Sequence, residues 1–128
     1  MKKKILFIIM LIMALAGSYI STTNAARSSV GTKPTFISEP PASLKVSKGE
    51  IVKIGAKATG TPAPEYRWYK DGYTIIPGDK YSITEDNGYT ELTIKNIEDD
   101  DEGRYQVVAE NSVGKEDRKC DLSVRYTP

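Results

Sequence analysis

From residue 52 the chain alternates apolar and polar positions with a period of two. Val52, Ile54, Ala56 and Ala58 fall on one side, and Lys53 and Lys57 on the other. That period marks a strand buried on one face. The same alternation returns further on. Trp68 shares a face with Tyr66, while Arg67 and Tyr69 point to the other side. Leu92 and Ile94 turn inward, followed by Ile97 at the end of the core. Tyr105, Val107 and Ala109 form another apolar set, and Cys120, Leu122 and Val124 the last. Turn sequences separate these runs: Lys48-Gly49-Glu50, Gly60 to Pro64, Asp71-Gly72, Pro77-Gly78-Asp79, Asp86-Asn87-Gly88 and Asn111 to Gly114. Strands punctuated this often predict an all-β sandwich. Ahead of them, Pro34 to Pro41 is a proline-broken strand, which only a sheet edge or a switch between sheets tolerates. After residue 25 no segment sustains the 3.6-residue period of a helix.

The first 25 residues follow a different rule. Lys2, Lys3 and Lys4 precede an apolar run from Ile5 to Ala16, which is the form of a secretory signal. Small residues at −3 and −1 place cleavage after Ala16 or after Ala25. An uncleaved anchor is the alternative, but Gly17 and Ser18 interrupt the run short of the roughly 20 apolar residues a span needs. Residues 26–33 are small and polar and are expected to form a flexible leader. One domain is expected over residues 34–126.

Composition narrows the chemistry. Of 128 residues, 39% are hydrophobic and 27% charged, which suits a globular domain. The formal charge is +1, and loss of the first 25 residues with their three lysines takes it to −2. Neither value provides the clustered basic face of a nucleic-acid binder. The chain has no His and a single Cys, so an intramolecular disulfide and a thiolate metal cage are both excluded. A nucleophile elbow, a phosphate loop and a carboxylate pair outside the turn acids are also missing. The expectation is a non-enzyme with no cofactor, no metal and no small-molecule substrate. Asn24, Asn87, Asn96 and Asn111 all fail the Asn-x-Ser/Thr pattern at the third position, so N-glycosylation is not expected.

The motifs together resemble one family. Gly60-x-Pro62-x-Pro64 leads to Trp68-Tyr69-Lys70-Asp71-Gly72; then come Leu92-x-Ile94, Asp101-x-Gly103-x-Tyr105 and Ala109-x-Asn111-x-x-Gly114. This is similar to the I-set immunoglobulin domains of cell-adhesion ectodomains and of muscle giants such as titin and twitchin. The resemblance implies an immunoglobulin-like Greek-key β-sandwich of two antiparallel sheets and a binding or scaffolding role. It also implies an inter-sheet disulfide, with a Trp packed on it. Here Ala56 and Val107 stand where the half-cystines belong. Such a bridge contributes about 4 kcal/mol in the chain-entropy account. Domains of this family in the reducing cytosol often lack it, so the missing bridge and the signal point to different compartments.

Several residues are candidates for a role. Trp68, Tyr105, Ala56, Val107, Leu92 and Asp101 are expected to build the core. Tyr105 occupies the position of a tyrosine corner, and Asp101 is expected to brace the acidic link Glu98 to Glu102 rather than bind Ca²⁺. Cys120 is expected to be a buried thiol, with an intermolecular disulfide as the alternative. Tyr69, Tyr73, Tyr81 and Tyr89 form the candidate contact surface, since Tyr is enriched at interfaces. The expected activity is protein–protein binding by a secreted single domain in adhesion, recognition or matrix contexts. A sarcomeric structural domain and a membrane-anchored adhesion protein are the alternatives, and homodimerisation is left open.

Overall fold

A computed structural model describes residues 30–125. The expected signal segment, both cleavage sites and residues 126–128 lie outside that range. Among the described residues no helix is long and apolar enough to cross a membrane.

Nine strands follow in order: β1 (Thr32–Ser38), β2 (Ser43–Val46), β3 (Val52–Thr61), β4 (Glu65–Lys70), β5 (Tyr73–Thr74), β6 (Tyr81–Asp86), β7 (Tyr89–Ile94), β8 (Gly103–Glu110) and β9 (Lys115–Val124). They form a four-stranded sheet, β1-β3-β7-β6, packed on a five-stranded one, β2-β9-β8-β4-β5. This is the expected immunoglobulin-like sandwich. One departure is β2, which pairs parallel to β9. Pro40 and Pro41 carry the chain from the first sheet to the second between Ser38 and Ser43. β2 therefore runs alongside the last strand. A second difference is at the start: Thr32 and Lys33 belong to β1 rather than to the leader. Thr32 is in register with Thr61 and accepts its N–H on Oγ1 at 3.1 Å, and Lys33 pairs with Glu116 at 2.8 Å.

Turn chemistry sets the hairpins. Asp71 and Gly72 join β4 to β5 with φ of 49° and 87°, a two-residue turn whose positive φ angles match the twist of paired strands. Asn87 and Gly88 do the same between β6 and β7, at 51° and 82°. Asn111 holds the last hairpin together through its side chain. Its Oδ1 accepts the N–H groups of Val113 and Gly114, and its Nδ2 donates to the carbonyls of Thr32 and Pro62.

The core lies between the sheets and contains Ile54, Ala56, Trp68, Leu92, Ile94, Ile97, Tyr105, Val107 and Leu122. Trp68 is the register partner of Val107 on β8, and Thr90 that of Ala56 on β3. The Trp68 indole N–H donates to Thr90 Oγ1 at 2.9 Å, with both residues buried. A hydrogen bond thus crosses the core between the strand neighbours of the two residues that replace the half-cystines.

Candidate functional site

The residues expected to build the core are all buried. Tyr105 donates its hydroxyl to the Asp101 carbonyl at 2.7 Å, one turn upstream. Burial pushes its phenol far above the ordinary value, and the nearby Tyr81 and Asp101 add to that. The carboxylate of Asp101 accepts the Glu98 N–H at 2.7 Å and pairs with Lys80 at 2.6 Å. Asp99 pairs with Lys48, and Glu102 accepts the N–H of Val124. These acids therefore serve the turn. Among the described residues no cluster of three His, Cys, Asp or Glu has a metal-binding arrangement. Cys120 is 1% exposed, and burial raises its thiol pKa. A thiol so enclosed is kept from a second chain and from the thiolate form that would react.

The four candidate tyrosines do not form one patch. Tyr69 lies on the outer face of the five-stranded sheet, half-buried and in register with Gln106. Tyr89 lies on the opposite sheet over Gly55, where an added Cβ would collide with its ring. Tyr81, expected to be exposed, is half-buried against the core. Its strand faces inward through Tyr81 and Ile83, paired with Ile94 and Leu92. Only Tyr73 stands fully in solvent, at 79% exposure. Tyr73 and Tyr81 share a groove of about 430 Å³ with Lys70, Asp71, Thr74, Ile75 and Ile76.

That groove marks one lateral edge of the sandwich. Ile75 is buried and Ile76 is 76% exposed. Ile76 is not among the candidates read from the sequence. The available signal was the period of two, since adjacent residues on an extended chain cannot face the same way. A large aromatic and a large aliphatic left open side by side are the kind of apolar exposure that marks contact sites.

The outer face of the five-stranded sheet is a second concavity. Arg67, Tyr69, Gln106, Val108 and Asp117 line a hollow of about 350 Å³. It continues past Glu110 into another of about 520 Å³ beside Pro62, Ala63 and Asn111. Some of its charges are paired locally, while Glu65 and Lys115, which also line it, belong to none of the ion pairs among the described residues. Arg67 lies 3.8 Å from Glu110, and Asp117 accepts from Lys119 and Gln106 at 2.8 and 2.9 Å. Those contacts hold the Asp117 carboxyl below its ordinary pKa, Lys119 contributing most.

A two-sheet sandwich with a buried Trp and a tyrosine corner defines a domain of the immunoglobulin class. The model of the immunoglobulin I-set domain matches residues 34–124, and the chain belongs to that family. It is 38% identical over 96 residues to the titin homolog of Caenorhabditis elegans, covering 75% of this chain and a share of that protein that rounds to 0%. To hemicentin-1 of Mus musculus it is 42% identical over 85 residues, 66% of this chain and 1% of that protein. Among solved structures, the titin domains Z1Z2 in complex with telethonin match with a TM-score of 0.72 at 28% identity, over 77% of this chain and 49% of that one. The chain thus spans 1% or less of the length of these two relatives.

Proposed function

We propose that this I-set domain is a secreted, non-catalytic protein-binding module of the adhesion, recognition or matrix kind. The observation that carries the reading is the open lateral edge, where Tyr73 and Ile76 stand in solvent and line a groove. Burial of such side chains drives association. The basic and apolar pattern of residues 2–16 supports export, and the likeness to hemicentin-1 is consistent with it. The titin domains solved with telethonin provide a precedent for a sandwich of this type that engages a protein.

A sarcomeric or cytoskeletal domain is the second reading. It is favoured by the likeness to the titin homolog and by a core tied without a disulfide. Intact mass and N-terminal sequence of the protein from the medium and the lysate of a eukaryotic host separate the two. A shortened product in the medium, beginning after Ala16 or Ala25, is the expected result. Full-length soluble protein in the cytosol overturns export and leaves the structural reading. Full-length protein held in membranes replaces both with an anchored form.

A further inference from the structure

Sheet edges recruit partners where backbone groups are unpaired and no charge or proline guards them. The four edges of this sandwich are β1, β6, β2 and β5. β1 carries Pro34 and is covered at Phe36 by the Arg118 guanidinium, 4.9 Å from the ring centre. β6 ends in Glu85 and Asp86, and β2 is four residues long with Lys45 in its middle. β5 and its continuation read Tyr73-Thr74-Ile75-Ile76, with no charge, and no proline before Pro77. It is the shortest of the four, two residues in regular pairing, and of these edges it is the one whose strand carries no charged side chain.

The hydrogen bonds of that edge point outward. β5 pairs with β4 in the register Tyr69↔Thr74 and Lys70↔Tyr73, and Ile75 N–H donates to the Trp68 carbonyl at 2.9 Å. Alternate residues of an antiparallel strand direct their N–H and C=O groups to opposite sides. With Tyr73 and Ile75 turned to β4, Thr74 and Ile76 turn theirs to solvent. The surroundings are acidic. Asp71 to Asp79 contains two carboxylates and no cation. The flanking lysines are engaged, Lys70 with Asp71 and Lys80 with Asp101. Asp79 and Asp100 are exposed and belong to none of the ion pairs formed among the described residues.

We propose that the β5 edge takes an extended segment of a partner protein as an added strand, apolar where it meets Tyr73 and Ile76 and carrying Lys or Arg at its ends. Main-chain bonds to Thr74 and Ile76 supply the docking, and the side chains and carboxylates supply selectivity. The proposal rests on the protein-binding reading and specifies its partner. Four residues span about 14 Å of strand, which places the contact at the small, transient end of interfaces.

The test is to pan a display library of random octapeptides on the immobilised chain, then titrate a synthetic copy of the most enriched peptide into the ¹⁵N-labelled protein. The expected result is enrichment of alternating apolar sequences with basic ends, and slowed amide exchange at Thr74 and Ile76. Ile76→Pro removes an outward N–H and is expected to weaken binding at least tenfold. Thr74→Lys places a cation on the exposed edge and is expected to do the same, and it stands in if the proline variant does not fold. Enrichment of acidic peptides, no enrichment, or unchanged binding by a folded edge variant overturns the proposal. Shifts centred on Tyr69, Gln106 and Val108 overturn the edge while leaving protein binding intact. Dimerisation through the edge without peptide, seen by light scattering, replaces the partner with a second copy.

Discussion

The two lateral edges of the sandwich differ in how they are closed. On one, β1 and β2 flank β9, and the side chains interlock. Arg118 lies over Phe36, pairs with Glu39 at 3.2 Å and approaches Glu116 at 3.5 Å, while Lys33 reaches Glu116. On the other, β5 has two residues, and the groove between Tyr73 and Tyr81 is left open. Both edges belong to the same core and carry side chains of comparable apolar size. What separates them is that one covers its aromatic and the other presents it. The comparison teaches that exposure at the open edge is not a shortage of sealing chemistry, because the same chain seals the opposite side.

The sharpest way to break the comparison is to hollow the closed edge. Phe36→Ala is expected to cost about 3–5 kcal/mol, read by urea denaturation. A loss below about 1 kcal/mol would mean that this edge is no better packed than the open one. The midline between the edges provides the reference. Ala56→Cys with Val107→Cys is expected to form a bridge and add up to about 4 kcal/mol, leaving only the thiol of Cys120 free; all three thiols free in the oxidised protein would show that these positions do not face each other. Thr90→Val keeps the shape but strands the Trp68 N–H in the core, and is expected to cost about 1–3 kcal/mol, seen as a lowered denaturation midpoint.

Smaller effects come from charge. Lys33 first, then Arg118, hold the Glu116 carboxyl below its ordinary value of 4.5. Since the folded pKa is the lower one, the stabilisation is present above the unfolded value and is lost as pH falls through the folded one. Glu116→Gln should therefore flatten part of the acid limb of the stability profile and leave the Phe36 packing alone. An unchanged limb would remove Glu116 from the seal. The least effect is expected at the open edge: Tyr73→Ser with Ile76→Ser should move stability by no more than about 0.5 kcal/mol, monitored by melting temperature. A larger loss would mean that these side chains serve the fold rather than a contact.

The sandwich was legible because alternation at Val52 to Ala58, at Leu92 and Ile94, and at Tyr105 to Ala109 has few other physical solutions. Thr90 continues that alternation toward the core, but no pattern along one strand reveals that its hydroxyl meets an indole from the other sheet. The parallel pairing of β2 with β9 was equally hidden, since register across the sandwich depends on where Pro40 and Pro41 send the chain. The tyrosines were legible as amphipathic residues but not as a surface. Gly55 draws Tyr89 down, the core takes half of Tyr81, and strand position puts Tyr69 and Tyr89 on opposite sheets. Residue type alone specifies none of these neighbours.

The bond from Trp68 to Thr90 has a consequence for how such a domain matures. A sandwich tied by a disulfide records, as a covalent bond, whether its surroundings could oxidise it, and it must wait for that chemistry. A tie made of a hydroxyl and an indole forms as soon as the two sheets meet, and no electron carrier can make or undo it. The fold keeps no covalent memory of where it was assembled.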